Sequence, residues 1–291
     1  MVNRKRIGPA GVAGPGATPA DQPLLTCEGL TKTYPATGRR SQDQPSALSQ
    51  AALKVRSGEC LGIVGESGSG KTTLANCLAG LLEPSAGTVT YQGEVIAAPG
   101  IRRPFPRVRG IQIVFQDPAS SLNPRRNVGS VLAEIIRVHA LRPRDAVRPR
   151  VRELLGLVGL DHALASRRPR RLSGGQQQRV AIARALAFEP RLMIADEIVS
   201  ALDASVQAQI LNLLADLREQ LGLAIILVTH DMSVARHLCD QIVVMQAGQI
   251  VEDGPADRVL QEPEHPYTQE LLRAVPRLDN GAPPMARGRW G

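Results

Sequence analysis

The chain has 291 residues and a formal net charge of +8; 43% of its residues are hydrophobic and only 2% are aromatic. This length suffices for one large domain or two ordinary ones, with a core built from Leu, Val, Ile and Ala. The pI of about 9.9 allows an anionic partner such as nucleic acid or a membrane surface. The scarcity of aromatic side chains argues against binding single strands by stacking, and we expect no nucleic-acid partner.

No run of apolar residues reaches the eighteen or so that a membrane span requires, so membrane contact would come through a partner. Residues 1–22 carry Pro and Gly where a signal peptide needs an apolar helix, and we predict a disordered tail there. The absence of a CxxC pair favours reduced, packing thiols in a cytosolic protein. The four cysteines are Cys27, Cys60, Cys77 and Cys239.

The secondary-structure elements of residues 23–116 can be predicted in chain order from periodicity and turn residues. The stretch PLLTCEGLTKTYP predicts an edge strand, and a polar loop follows it. GECLGIVG predicts a buried strand, KTTLANCLAGL a helix, GTVTYQGEVI a hairpin and GIQIVFQ a closing strand. Helical pieces cut by Pro and Gly then fill residues 117–171, which predicts an inserted helical subdomain.

Three strand–helix alternations follow the insert and indicate a parallel α/β sheet. The strands are RLMIAD, AIILVTH and the hairpin QIVVMQAGQIVEDG, and helical patterns lie between them. The expected fold is α/β with a parallel sheet, an N-terminal antiparallel β part and the inserted helical subdomain. We expect one domain over residues 23–262, and residues 263–291 form a C-terminal tail.

A phosphate-binding loop is predicted by GESGSGKT, which matches G-x-x-x-x-G-K-[ST] between a strand and a helix. The expected fold is therefore an α/β P-loop NTPase core, and residues 23–262 are its expected ATP-binding domain. Glycines let backbone amides turn toward phosphate oxygens. The helix dipole adds only about 0.3–1 kcal/mol, so we expect Lys71 to bridge the outer phosphates and Thr72 to ligate Mg²⁺. The residues predicted to bind the nucleotide are Gly65, Glu66, Ser67, Gly68, Ser69, Gly70, Lys71, Thr72 and Thr73.

Polar residues close the neighbouring strands. RLMIADE carries Asp196 to a strand end, where open α/β sheets bind ligands, and we expect it to hold Mg²⁺ directly or through water. Glu197 can polarise the attacking water. His230 ends AIILVTH and is a candidate γ-phosphate ligand, although a lone histidine is more often structural. Gln116 ends IVFQ, where it can reach Mg²⁺ and sense the position of the insert.

A second anion site is predicted by LSGGQQQR, at the end of the helical insert. Ser173 is a helix N-cap and Gln176 completes a capping box, while Gly174 and Gly175 leave the backbone open to close approach. One loop already cradles one side of the nucleotide. The second site therefore makes sense if it faces a nucleotide held by another chain, so that two chains sandwich two ATP molecules.

These motifs, together with FQDPASSLNPR, IADEIVSALD and VTHD, resemble the ATP-binding subunits of ABC transporters, in the family's order over residues 24–260. The resemblance implies that Tyr34 stacks on adenine and that Gln116 lies at the contact with the transmembrane domains. It implies that Glu197 is the catalytic base and that Asp203 couples the two sites. The residues implied to touch the partner's γ-phosphate are Ser173, Gly174 and Gly175.

The subfamily is indicated by QDPASSLNPR and by the tail HPYTQELLRAVP, which resemble the peptide, oligopeptide and nickel importer ATPases. The tail also fits an ordinary amphipathic helix with Leu271, Leu272 and Val275 on one face. Ile198 stands where most relatives have proline after Asp-Glu, which removes no reacting group. No cysteine follows Cys239, so we expect none of the iron–sulfur clusters that some relatives carry.

The resemblance implies an ATPase that powers an importer by ATP-driven dimerisation, with ATP and Mg²⁺ as cofactors. Its implied partners are two transmembrane permeases, a second ATPase subunit of the same or a related kind, and an extracellular substrate-binding protein reached through the complex. Its implied location is the cytoplasmic face of the cell membrane. Two alternatives remain at this point: the ATPase of an exporter, or a soluble ABC protein acting on ribosomes or DNA.

Overall fold

The computed structural model describes residues 22–34, 46–101, 109–118 and 122–274. The predicted disordered tail, apart from residue 22, lies outside the described residues, and so does the chain after residue 274. The strands of the described part are β1 (Leu25–Lys32), β2 (Leu48–Val55), β3 (Cys60–Val64), β4 (Ala86–Tyr91), β5 (Glu94–Ala97), β6 (Ile111–Val114), β7 (Leu192–Asp196), β8 (Ala224–Thr229), β9 (Gln241–Gln246) and β10 (Gln249–Pro255).

The helices agree with the patterned segments of the sequence and add one short helix that no pattern indicated, α7. The α-helices of the described part are α1 (Lys71–Leu78), α2 (Val128–Val138), α3 (Val147–Leu157), α4 (Gly174–Leu186), α5 (Ala204–Leu221), α6 (Met232–Leu238), α7 (Ala256–Gln261) and α8 (Pro266–Ala274). None of these helices is long and apolar enough to cross a lipid bilayer.

The smaller sheet is antiparallel and has the strand order β2-β1-β4-β5. β1 pairs with β2 on one side and with β4 on the other, so the prediction that it is an edge strand is wrong. The alternation of apolar and polar residues along β1 indicates that one face of the strand is buried. An inner strand of a sheet with one buried face shows the same alternation as an edge strand. β2 was not predicted, because exposed Ala52 and Lys54 and buried Ala51 give its pattern little hydrophobic contrast.

The larger sheet has the order β10-β9-β3-β8-β7-β6, and its pairs are parallel except for β10 with β9. This bears out the predicted parallel sheet for five of its six strands. Val64 of β3 is opposite Thr229 of β8, and Asp196 of β7 is opposite Val228. The carboxyl ends of β3, β8 and β7 therefore meet at one edge of the sheet.

The larger sheet separates two hydrophobic cores, and β3 contributes to both. Its side chains alternate across the sheet: Cys60 and Val64 pack with the core that includes the helices of the insert, whereas Leu61 and Ile63 pack with the smaller sheet and α1. The strand that ends at the phosphate loop is thus buried on both faces. This burial fixes the position at which the loop begins.

The predicted insert contains α2, α3 and short 3₁₀ turns within the residues described. Asn127 caps α2, because its Oδ1 accepts the amide of Ser130 at 2.7 Å. Arg150 of α3 forms ion pairs with Glu153 at 2.7 Å and with Glu189, just beyond α4, at 3.2 Å. The insert is therefore tied to the end of α4, the helix that begins in the segment LSGGQQQR. Its bounds at residues 117 and 171 remain a prediction.

Candidate nucleotide site

The phosphate loop connects β3 to α1 and is packed too tightly for side chains at two of its glycines. A Cβ on Gly65 would lie 2.2 Å from the carbonyl oxygen of Met245, and one on Gly70 would lie 2.5 Å from that of Ala47. Gly70 also has φ of 101°, which L side chains rarely adopt. The amide of Gly248 donates to the carbonyl of Ser69 at 2.9 Å. The β9–β10 turn therefore supports the loop from behind.

The Lys71 side chain lies within this loop and is only 4% exposed. Its Nζ donates to the carbonyl oxygens of Gly65 at 2.7 Å and of Glu66 at 2.6 Å. Burial lowers the pKa of Lys71, while the charges of Glu197 and Asp196 act to raise it. The ammonium group is held by loop carbonyls near two carboxylates, and its positive charge would attract an anionic phosphate.

Thr72 and Asp196 bring two oxygen ligands together at the sheet edge. The Thr72 hydroxyl donates to Asp196 Oδ1 at 3.3 Å, and Asp196 is 5% exposed. Burial raises the pKa of Asp196, and the charge of Glu197 adds to this; the Thr72 hydrogen bond and the charge of Lys71 oppose it. A hydroxyl and a desolvated carboxylate suit a hard divalent cation, so the residues present fit Mg²⁺.

Glu197 follows β7 in a left-handed backbone conformation, with φ of 50°. Such a conformation costs a non-glycine residue about 1–2 kcal/mol and is found disproportionately at functional sites. The Glu197 amide donates to the carbonyl of Val228 at 3.0 Å, which keeps this bend against β8. His230 Nδ1 lies 3.6 Å from Glu197 Oε1, too far for a hydrogen bond but close enough for an ion pair with a protonated imidazole.

Gln116 lies two residues beyond the end of β6, not at the end of the strand as predicted. Its Nε2 donates to Ser200 Oγ at 3.0 Å, and that hydroxyl donates to the carbonyl of Glu197 at 2.9 Å. Sequence analysis did not identify Ser200. The available signal was a hydroxyl three residues after Glu197, the spacing of a local side-chain bond to the backbone. A path of two hydrogen bonds therefore joins Gln116, at the entrance to the insert, to the residue after Asp196.

The capping box at the second anion site is present. The Ser173 amide donates to Gln176 Oε1 at 3.1 Å, and the Gln176 amide donates to Ser173 Oγ at 3.3 Å. Ser173 and Gly174 are exposed at the start of α4, whose first turn carries no acidic residue. A Cβ on Gly175 would lie 2.6 Å from Val206 Cγ1. The glycine therefore allows α4 to start directly against α5.

Asp203 caps α5 next to this contact. Its Oδ1 accepts the amides of Ser205 at 3.1 Å and Val206 at 3.0 Å, and the Ser205 hydroxyl at 2.8 Å. The bond from the Val206 amide is the largest of the causes that lower the pKa of Asp203. The start of α4 and the Asp203 cap are therefore neighbours, joined through the contact between Gly175 and Val206.

Tyr34 is 51% exposed, and the Lys32 ammonium lies 5.5 Å from the centre of its ring. Residues 35–45 lie outside the described part of the chain. An exposed aromatic face next to a cation is compatible with the predicted stacking on a base.

Two family models match the chain. The ABC transporter model matches residues 48–200, and the model of the C-terminal region of oligopeptide and dipeptide transporters matches residues 251–289. The first match contains the phosphate loop and ends just before Asp203, and the second contains α8.

Curated relatives carry related names. The oligopeptide transport ATP-binding protein OppD of Mycobacterium tuberculosis is 46% identical over 263 residues, which are 89% of this chain and 42% of the relative. A putative peptide import ATP-binding protein of Brucella abortus is 46% identical over 238 residues, which are 81% of this chain and 71% of the relative. The chain thus spans less than half of the first relative and more than two thirds of the second.

Solved structures share the fold. One is the structure of cbiO1 from Clostridium perfringens, which is part of an ABC transporter complex. It has a TM-score of 0.72 and 30% sequence identity, and the match covers 88% of this chain and 97% of the cbiO1 chain. A dimeric ATP-binding cassette in a post-hydrolysis state, bound to ADP and Pi, has a TM-score of 0.69 and 30% identity and covers 80% of this chain and 99% of its own.

The buried position of Lys71 predicts the effect of removing its charge. In Lys71→Met, a charge-assisted hydrogen bond to the triphosphate is lost, worth about 1.5–3 kcal/mol, so ATP should bind about 10- to 100-fold more weakly. Equilibrium dialysis measures this. Lys54→Met, which removes a charge from an exposed lysine of β2, is the control and should bind like the wild type. Equal affinities in both variants would contradict a phosphate role for Lys71.

Proposed function

The chain belongs to the ATP-binding family of ABC transporters, and we propose that it is the ATPase subunit of an importer for di- and oligopeptides. The observation that carries the ATPase part of this proposal is the meeting of Lys71, Thr72, Asp196 and Glu197 at the carboxyl ends of the parallel strands of the larger sheet. The C-terminal match and the names of the relatives support peptides as the cargo class.

Each group at the sheet edge has a separate task in hydrolysis. The loop amides and the Lys71 ammonium bind the β- and γ-phosphates. Glu197 accepts a hydrogen bond from the attacking water and orients it toward the γ-phosphate. His230, next to Glu197, binds a γ-phosphate oxygen and stabilises the charge that develops there.

Thr72 and Asp196 would hold the Mg²⁺ ion, and Gln116, at the entrance to the insert, would be a further ligand. The ion, when bound, neutralises charge on the β- and γ-phosphate oxygens. The hydrogen bonds from Gln116 to Ser200 and from Ser200 to Glu197 support a coupling between the insert and the site, because a displacement of the insert would pull on the backbone of Glu197.

The exposed start of α4 completes the ATP site of a second subunit. Its amides and the Ser173 hydroxyl point their partial positive charge at an anion, and they contact the γ-phosphate held by the partner. ATP then touches both chains only in the closed dimer, so its binding favours closure. Hydrolysis removes the shared γ-phosphate and opens the dimer. Asp203, next to Gly175, transmits the state of one site to the other.

The transport partners are two transmembrane permeases, contacted by the segment FQDPASSLNPR and the helical insert. The subunit works at the cytoplasmic face of the membrane, and an extracellular binding protein delivers the peptide to the permeases. The import name of the Brucella abortus relative supports this direction of transport over export.

Glu197→Gln should separate binding from hydrolysis. The amide keeps the size of the side chain but cannot act as a base, so turnover should fall by about 10²–10⁴-fold while ATP stays bound. The variant should then accumulate as an ATP-bound dimer in size-exclusion chromatography. Glu219→Gln, on the exposed side of α5, is the control. Normal turnover in Glu197→Gln would contradict its assignment as the base.

Ser173→Arg should block the partner's site without affecting the chain's own. The larger side chain fills the position of the partner's γ-phosphate, so turnover should fall by about 10³-fold or more, by analogy with groups supplied in trans. ATP affinity of the dilute, monomeric chain should be unchanged. Ser57→Arg, at an exposed turn, adds the same charge elsewhere. Loss of ATP binding by the monomer would mean that Ser173 and the start of α4 contact the nucleotide of the same chain.

The transport assignment predicts the membrane partners. The tagged chain, recovered from its own membranes in mild detergent, should carry two multi-span permeases, and mass spectrometry identifies them together with any binding protein and second ATPase. Recovery with ribosomes or DNA and without a permease would contradict the importer proposal.

A further inference from the structure

The helix α8, the last in the described part of the chain, contacts the phosphate loop, although the two contacting residues are 201 positions apart in the sequence. The Glu66 amide, inside the loop, donates to the Tyr267 hydroxyl at 3.0 Å. Tyr267 is in the first turn of α8 and is only 6% exposed. Burial raises the pKa of the Tyr267 phenol, so the group that accepts the amide is neutral. None of the roles given above to the loop accounts for this bond.

The position of Tyr267 is fixed by a buried carboxylate on β10. Glu252 accepts the amide of Glu264 on Oε1 at 2.9 Å and the amide of His265 on Oε2 at 3.1 Å. His265 Nδ1 in turn accepts the amide of Tyr267 at 3.2 Å. These bonds satisfy backbone groups at the start of α8 that have no partner within the helix. Glu252 therefore holds the turn from which Tyr267 reaches the loop.

The same hairpin supports the loop at a second point. The turn between β9 and β10 donates the Gly248 amide to Ser69, while β10 positions Tyr267 through Glu252. Glu66 is held at both of its polar backbone groups, because its carbonyl accepts Lys71 Nζ at 2.6 Å and its amide donates to Tyr267. The peptide groups on either side of Glu66 thus have little freedom to rotate.

We propose that Tyr267 is a positioning residue of the nucleotide site. Through Tyr267, α8 holds the phosphate loop in the conformation that binds ATP. The inference rests on the proposed function, because it concerns the affinity of the same loop for ATP. A loop that is already ordered loses less conformational entropy when it binds phosphate. A change in the C-terminal region that moves Tyr267 releases the Glu66 amide and weakens ATP binding without touching the nucleotide.

The test is Tyr267→Phe in the full chain, with Mg²⁺ and ATP as the probe in equilibrium dialysis. Phenylalanine keeps the ring packing and removes only the hydroxyl. We expect the ATP dissociation constant to rise about three- to tenfold, the loss of one net hydrogen bond. Tyr91→Phe is the matched control, because it also removes a buried hydroxyl, one with no hydrogen-bond partner among the described residues. This control should bind ATP like the wild type.

A double-mutant cycle distinguishes positioning from general stability. If Glu252 acts through Tyr267, Glu252→Gln should weaken ATP binding, and the double variant Glu252→Gln/Tyr267→Phe should bind no more weakly than the weaker-binding single variant. Effects that multiply would overturn the linked path from Glu252. The unfolding temperature is measured for every variant. If ATP affinity falls together with the unfolding temperature in both Tyr91→Phe and Tyr267→Phe, the positioning role is overturned.

The failure of this inference is distinguishable from failure of the proposed function. Wild-type affinity in Tyr267→Phe, together with weak binding in Lys71→Met, would overturn the role of Tyr267 and leave the ATP site intact. A wild-type chain that binds no ATP would overturn both. Weaker binding in Tyr267→Phe with unchanged binding in Tyr91→Phe supports the inference.

Discussion

The in-register parallel pairing of β3, β8 and β7 is the constraint on which the site depends. With Val64 opposite Thr229 and Asp196 opposite Val228, the residues that follow each strand emerge at one edge. These residues begin the phosphate loop, supply Glu197 and supply His230. A register shift by one residue would turn each side chain to the other face of its strand. Burial of β3 in two cores opposes such a shift.

The electrostatics of the edge follow from this burial. Burial lowers the pKa of Lys71 and raises the pKa of Asp196, which favours the neutral form of each. The charge of each residue opposes the pKa shift of the other. Buried charges are costly unless paired and hydrogen-bonded. The loop carbonyls and the Thr72 hydroxyl supply part of this compensation. A triphosphate with a divalent cation would place negative charge next to Lys71 and positive charge next to Asp196 at once.

Local sequence was sufficient where a motif and its element coincide. GESGSGKT between a strand and a helix predicted the loop, and Ser173 and Gln176 predicted a capping box that the structure confirms. β2 was missed because its alanines and polar residues give no clear period. The hydrogen bonds of Ser200 and Tyr267 could not be predicted, because each depends on a partner brought near by tertiary packing: Gln116 is 84 positions away and Glu66 is 201 positions away.

In the proposed function, each chain contributes one half to each of two ATP sites that it shares with a second subunit. The most direct test is the ATPase rate per chain as the concentration of the full chain is varied, with light scattering to report the oligomeric state. A shared site predicts a rate per chain that rises with concentration and levels off as dimers form. A constant, substantial rate per chain at dilutions where only monomers remain would contradict it, because a single chain would then hold a complete site.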